Sequence, residues 1–154
     1  MITPAPVRWW DDGAQQAVLA AAEPTHVFAA GSDAAAAIAL AITHPGIVRS
    51  LVIADPAVDL DTIGPLLARV TVPTLVVASA PEPTTELTVA QRLAGDIDNA
   101  VFVVIDGSPR PVHTESRASF VEWTSSFVAI AEGLAARADT VLCPPTPLTE
   151  GVRR

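Results

Sequence analysis

One stretch of the chain, from His26 to Val58, restricts the possible folds more than any other. It holds two short apolar runs, Val27 to Ala30 and Ser50 to Ala54, and an alanine-rich segment of helical length between them, at about Ala34 to Thr43. Gly31 closes the first run, and a His-Pro-Gly sequence stops the predicted helix. Strand, helix and strand at this length predict a right-handed βαβ unit with parallel strands.

The rest of the chain continues this alternation of apolar runs and helical segments. Two further apolar runs, Pro73 to Ser79 and Ala100 to Ile105, predict strands. Helices are predicted at about Asp12 to Ala22, Val58 to Val70, Glu86 to Ala94 and Glu115 to Ala138. All four strands are continuous apolar runs, which is typical of a parallel sheet covered on both faces. We therefore expect a three-layer α/β sandwich with a mostly parallel four-stranded sheet, in one domain over residues 1–140, followed by a Pro-rich tail at 141–154.

Aromatic residues are few, so their positions carry information. The last predicted helix carries large apolar residues on one side, at Phe120, Trp123, Phe127 and Ile130. We expect the stripe of Phe120, Trp123 and Phe127 to lie in the core. Trp9 and Trp10 precede the first predicted helix. They suit packing against the core, and a ligand wall or a subunit interface are the alternatives.

Composition excludes several classes of function. The net charge of −8 argues against binding to nucleic acid or to an anionic membrane surface. Cys143 is the single cysteine, so no disulfide forms within the chain and we expect a cytoplasmic location. Abundant Ala and the absence of Lys indicate a GC-rich, bacterial source. No phosphate-binding glycine motif and no metal-ligand spacing occur, so we expect no cofactor and no metal.

Several segments resemble the α/β-hydrolase superfamily. In that family a nucleophile elbow, G-x-S-x-G, leads into a helix that ends in His-Pro and then into a strand that ends in Asp-Pro. The matching residues here are Ala37 to Ala41, His44-Pro45 and Val48 to Pro56. Later segments, Leu67 to Pro83 and Ile105 to Glu115, are similar to the parts of the family that carry its acid and its histidine. The resemblance implies an α/β-hydrolase-like fold.

The resemblance covers roughly residues 11 to 136 and corresponds to the C-terminal half of the family's fold. Counted without a gap, the family's nucleophile falls on Gly31, its acid on Glu82 and its histidine on Arg110. Glycine has no nucleophile, and arginine stays protonated and cannot act as a general base. The resemblance therefore implies the fold and argues against its usual ester hydrolysis.

Ser32 keeps open a displaced catalytic site. It is one residue late for the nucleophile, and with Asp55 and His113 it would make an improvised triad. The simpler interpretations are structural: Ser32 and Asp33 are helix-capping types, Asp55 before Pro56 suits a turn, and His113 suits a loop.

The same region is a candidate ligand site. Arg110 could clamp an anion that faces the backbone amides of the elbow, or it could form a structural ion pair with Glu82. The candidate ligand-binding residues are Gly31, Ser32, Asp33, Glu82, Arg110, Trp9 and Trp10.

These observations predict a degenerate α/β-hydrolase-like protein without a working triad. It would be a non-hydrolytic protein that binds a small apolar or anionic molecule, or an assembly protein. The alternatives are an enzyme that uses the remnant pocket for a cyclase, lyase or isomerase step, and a residual esterase on Ser32.

A homodimer is also predicted, because Val27 to Ala30 would be an unpaired strand edge. Three segments could pair with that edge: Ile2 to Trp10 folding back as a strand, a second copy of the chain, or a different chain.

Overall fold

The computed structural model describes residues 4–10, 18–19 and 23–142, with only the backbone at 139–142. The strands are β1 (Val7–Trp9), β2 (Thr25–Ala30), β3 (Val48–Ala54), β4 (Thr74–Ala80) and β5 (Ala100–Asp106). The helices are α1 (Ala34–Thr43), α2 (Leu60–Ile63), α3 (Thr88–Asp96), α4 (Val112–Glu115) and α5 (Arg117–Leu142), with 3-10 segments at Gly31–Asp33 and Gly64–Arg69. No helix in these described ranges is both long enough and apolar enough to cross a membrane.

The described strands form one sheet in the order β1-β2-β3-β4-β5, and every neighbouring pair is parallel. The four strands predicted from apolar runs are confirmed. The prediction of four strands was nevertheless one short, because β1 adds a fifth. β1 is only three residues long and carries Arg8 between Val7 and Trp9, so it has no apolar run by which the sequence could indicate it.

β1 covers the edge of β2 that the sequence left unpaired. Val7 pairs with His26 and Trp9 with Phe28 in the parallel register. The N–H of Trp10 donates to the carbonyl of Phe28 at 2.6 Å, which extends the pairing beyond the strand. Folding back of the N-terminal segment, the first of the three predicted covers, therefore describes the structure. The homodimer was predicted because this edge would be unpaired, and β1 removes that reason. The homodimer itself stays a prediction.

Helices cover both faces of the sheet and bury a core against each. The larger core lies under α1 and α3 and includes Ile38, Leu51, Ile53, Leu67 and Leu93. The smaller core lies under α5 and includes Phe28, Leu75, Val77, Phe120 and Phe127. The predicted three-layer sandwich is confirmed, and apolar strand residues pack on both faces of the sheet, as is typical of parallel sheets.

Several helix boundaries differ from the predicted ones; the helix predicted from Glu86 to Ala94, for example, runs from Thr88 to Asp96. The segment predicted as one helix from Val58 to Val70 is the single turn α2 followed by a 3-10 segment, with Pro65 near the start of the latter. The helix predicted to end at Ala138 continues to Leu142. The helix predicted at about residues 12–22 lies outside the described residues except at Val18 and Leu19.

The apolar side of α5 was predicted with the wrong members. Phe120 and Phe127 are buried as expected, but Trp123 is 49% exposed and Ile130 is 61% exposed. The buried row is instead Phe120, Thr124, Phe127 and Ala131. Trp123 and Ile130 lie beside this row, because positions 120, 124, 127 and 131 follow the 3.6-residue repeat of the helix more closely.

Candidate functional site

A sharp turn at Gly31 joins β2 to α1 at the carboxyl end of the sheet. Gly31 has φ +58, which is a left-handed conformation. Glycine adopts it without strain, whereas in a residue with a Cβ it is energetically unfavourable. Its carbonyl accepts hydrogen bonds from the N–H groups of Ala34 and Ala57, the latter at 3.0 Å. A Cβ added at Gly31 would meet no atom within 4 Å, so the turn opens into free space.

The polar residues after this turn do not cap the helix as predicted. Ser32 and Asp33 are exposed, and neither side chain makes a capping hydrogen bond. The reason is the 3-10 segment Gly31–Asp33, which gives Asp33 helical φ and ψ angles of −72 and −14 instead of the extended ones of a side-chain cap.

A cavity of about 680 Å³ lies beside the turn. Its walls come from the end of β2 and the turn after it, the residues after β3, Ala78 of β4, the start of α3 with the residues before it, and the loop before α4. Most of the lining is apolar, and the polar side chains in it belong to Ser32, Asp55, Glu86, Thr88 and Arg110. Of the candidate ligand-binding residues, Gly31, Ser32 and Arg110 line this cavity; Asp33, Glu82, Trp9 and Trp10 do not.

Arg110 does not form the structural ion pair that was one of its two predicted roles. Its Nη2 donates to the backbone carbonyl of Glu86 at 3.4 Å, and no carboxylate in the described ranges lies within ion-pair distance of it. The backbone N–H of Glu82 donates to the hydroxyl oxygen of Thr85. The Arg110 guanidinium is thus an exposed cation on the cavity wall with most of its donors unused.

Asp55 follows β3 in a left-handed conformation, with φ +44. Its Oδ1 accepts the backbone N–H of Ser79 at 2.7 Å, and its Oδ2 accepts the N–H of Val112 at 2.7 Å. The Ser79 hydroxyl donates to the same carboxylate at 2.9 Å. These contacts hold the ends of β3 and β4 and the start of α4 together, so the carboxylate is used structurally.

His113 packs in an aromatic cluster and does not meet Ser32 or Asp55. Its ring centroid lies 5.0 Å from that of Trp9, which in turn stacks on Phe120 at 5.9 Å. The buried Nδ1 of His113 makes no hydrogen bond to any described residue. Since no hydrogen bond in the described ranges links Ser32, Asp55 and His113, the improvised triad is not assembled in this structure.

The sequence missed a buried polar cluster at the opposite end of the sheet. Nδ1 of the fully buried His26 lies 2.6 Å from Oγ of Ser50, its register partner in β3. Nε2 of His26 lies 3.6 Å from Oε2 of Glu132, which also binds Arg49 at 2.7 Å. The other oxygen of Glu132 accepts the Ala5 N–H at 2.7 Å. The cluster therefore anchors the segment that leads into β1.

Two pKa shifts accompany this cluster. Burial lowers the pKa of His26, and the Glu132 carboxylate opposes that shift only in part. Burial alone would raise the pKa of Glu132, but hydrogen bonds from Ala5 and Arg49 outweigh it and the net shift is downward. His26 directly precedes one predicted strand and Ser50 begins the next, which was the one available signal. Glu132, on a distant helix, gave none.

Solved structures of several α/β-hydrolases are similar to this one. A predicted CIB-like hydrolase from Thermoplasma acidophilum matches with a TM-score of 0.66 at 19% identity, over 76% of this chain and 56% of that one. Proline iminopeptidase from Mycobacterium smegmatis matches at 0.67 and 14% identity, over 80% and 71%. NosK from Streptomyces actuosus matches at 0.58 and 20% identity, over 79% and 77%. No protein-family model matches the sequence, and no curated protein does.

These matches, together with the parallel sheet and its strand-to-helix turn, decide the fold. This is an α/β-hydrolase-like fold. The chain spans little more than half, 56%, of the first of these structures. In the α/β-hydrolase fold the nucleophile occupies a strained turn between a strand and a helix, and the N–H of the next residue helps to form the oxyanion hole. Here the turn with positive φ is at Gly31, and the next residue is Ser32.

Proposed function

We propose that this protein binds a small molecule with an apolar body and one anionic group, and that it does not hydrolyse esters. The cavity beside Gly31 is the binding site. The observation that carries the proposal is the turn at Gly31 itself: it has the φ of a nucleophile elbow and no side chain to attack with.

The absence of hydrolysis follows from what surrounds the cavity. Acyl transfer needs a nucleophile, a base that can take its proton and a group that orients the base. Ser32 has no hydrogen bond to an imidazole among the described residues, and His113 packs against Trp9 away from the cavity lining. Arg110, in the loop where the family keeps its histidine, cannot accept a proton. The weakly basic groups that remain would leave the hydroxyl of Ser32 unactivated.

The size of the cavity and the Arg110 guanidinium on its wall support a ligand with an anionic group. Its volume, about 680 Å³, lies in the range of small-molecule sites, about 300–1,000 Å³. Arg110 is the cation among its lining residues. The two acids of the lining accept hydrogen bonds from within the chain: Asp55 accepts from Ser79 and Val112, and Glu86 accepts from the N–H of Thr88. An incoming carboxylate would therefore pair with the guanidinium while its tail contacts the apolar walls.

Titration with hexanoate and with hexanamide, followed by ¹H–¹⁵N correlation spectra, tests this proposal. The two probes share a tail and differ in charge. We expect hexanoate to shift the amides of Gly31 and Ser32 and to bind about tenfold more tightly than hexanamide, as one charge-assisted hydrogen bond allows. Arg110→Gln should abolish that difference.

The matched control for this titration is Arg137→Gln, which removes an exposed arginine of α5 outside the cavity. It should leave the preference for hexanoate unchanged. Equal affinity for the two probes in the wild type, or a preference for hexanoate that survives Arg110→Gln, would contradict the proposed anion site.

An assembly role is the second candidate, and the exposed Trp123 and Ile130 on α5 favour it. A non-hydrolytic enzymatic step, such as a cyclase, lyase or isomerase reaction, would use the same cavity. Trp9 and Trp10 would have favoured that reaction as cavity walls, but they do not line the cavity.

A further inference from the structure

One flank of α5 exposes a strip of large apolar side chains with smaller residues between them. Trp123 and Ile130 are joined there by Leu134, which is 48% exposed, and by Val101 of the neighbouring edge strand β5, which is 50% exposed. Ile130, Leu134 and Val101 line a groove of about 620 Å³ between the helix and the strand. Single exposed apolar residues are ordinary, but a contiguous strip of this kind marks an interaction surface.

Small residues alternate with the large ones along this flank. The positions 123, 126, 130 and 133 hold Trp, Ser, Ile and Gly, and their spacing of three, four and three is that of a seam between paired helices. Gly133 weakens a helix interior, yet a Cβ added to it would meet no atom within 4 Å. Nothing in the described part of this chain requires a glycine there, whereas a close-packed neighbour would.

We propose that a second copy of this chain binds this flank, with the two α5 helices antiparallel across a two-fold axis. Trp123 then lies opposite the partner's Gly133, and Ile130 lies opposite the partner's Ser126. The large-small-large-small order is self-complementary in this arrangement. Each large side chain meets a small residue of the partner, and the two-fold axis repeats each of these pairs. That self-complementarity is what selects a second copy over an unrelated partner.

The charges at the two ends of the strip agree with the antiparallel direction. Glu122 lies beside Trp123 and Arg137 lies one turn beyond Gly133, and both are exposed. Neither makes an ion pair within the described ranges. An antiparallel pair brings the Glu122 end of each helix to the partner's Arg137 end, while a parallel pair would bring like charges together.

Light scattering after size exclusion on the full chain, across micromolar concentrations, measures the assembly directly. We expect twice the 15.9 kDa mass of one chain. Ile130→Glu should raise the dissociation constant about a hundredfold or more, because it places an unpaired carboxylate in the interface twice. Val121→Glu is the matched control, because Val121 lies on another side of the same helix and is 46% exposed. The Val121→Glu variant should remain a dimer.

Gly133→Leu separates the interface from the fold. Within one chain it replaces a helix-interior glycine at an unobstructed position, so circular dichroism should show a folded helix. In the dimer it fills the space for the partner's Trp123 and should give a monomer. A monomeric wild type, or a dimer that survives both Ile130→Glu and Gly133→Leu, overturns the proposal. It is independent of ligand binding, so loss of the hexanoate site leaves it standing.

Discussion

Oδ2 of Asp55 accepts a hydrogen bond from the backbone N–H of Val112 at 2.7 Å. This contact joins the end of β3 to the start of α4, 57 residues later in the chain. Because Oδ1 also accepts the N–H of Ser79, one carboxylate holds three segments around the cavity. Asp55 thus positions the walls of the cavity.

Replacing Asp55 by Ala should therefore lower stability. The change leaves the part-buried N–H groups of Ser79 and Val112 without acceptors and puts an alanine at φ +44, for an expected loss of about 2–4 kcal/mol. Urea unfolding measures it. Asp106→Ala, at an exposed acid that ends β5, should change stability by less than about 0.5 kcal/mol. Equal effects of the two substitutions would remove Asp55 from this role.

Stability should fall as the pH drops below the ordinary His pKa of 6.5. Burial lowers the pKa of His26 in the folded state, so the unfolded chain takes up its proton first. The stability that neutral His26 contributes is fully present above about pH 6.5. It is lost as the pH falls from there towards the lower pKa of the folded state, at no more than about 1.4 kcal/mol per pH unit. Glu132 and Arg49 face the ring, and Glu132, with its lowered pKa, adds a similar loss only below its ordinary value of 4.5.

Urea unfolding at pH values between about 7.5 and 5 tests this dependence, with His26→Gln and His44→Gln compared. His26→Gln should lower stability at neutral pH and flatten its pH dependence. His44 follows α1, contacts Thr43 and lies outside this cluster, so His44→Gln is the control for the general effect of removing a histidine. A wild type that gains stability on acidification through this range would refute the assignment to His26.

Alanine substitutions at two glycines should change stability in opposite directions. Gly31→Ala should cost about 1–2 kcal/mol, because φ +58 is unfavourable for a residue with a Cβ although the added atom meets nothing. Gly95→Ala, in α3 and equally unobstructed, should stabilise by about 0.5–1 kcal/mol. Thermal unfolding of both variants gives the comparison. Stabilisation by Gly31→Ala would mean that the turn is not held in its left-handed form.

The sequence predicted the parts of the fold that local patterns encode. Apolar runs placed β2 to β5, and the His-Pro-Gly stop placed the end of α1. β1 was not placed, because three residues with a central arginine become a strand only through pairing with β2. Trp123 was assigned to the core because its spacing from Phe120 suits one face of a helix. It is exposed because packing against the sheet sets the rotation of α5, and the spacing of residues does not contain that rotation.

The candidate site was predicted in part. Counting from the His-Pro motif placed Gly31 at the elbow, and the structure gives that residue the left-handed turn. Whether Ser32, Asp55 and His113 would meet depended on loop geometry, and a pattern of residue types does not contain it. The contact between His26, Ser50 and Glu132 also arises only in three dimensions, from strand register and the docking of α5.

Hydrolysis of p-nitrophenyl acetate and p-nitrophenyl butyrate, by the wild type and by Ser32→Ala, tests the central claim most directly. A working triad contributes many orders of magnitude to the rate of ester hydrolysis. We expect both proteins to hydrolyse these esters at the same slow rate, close to that of buffer with unrelated protein. Fast turnover in the wild type that disappears in Ser32→Ala would contradict it and would restore Ser32 as a nucleophile.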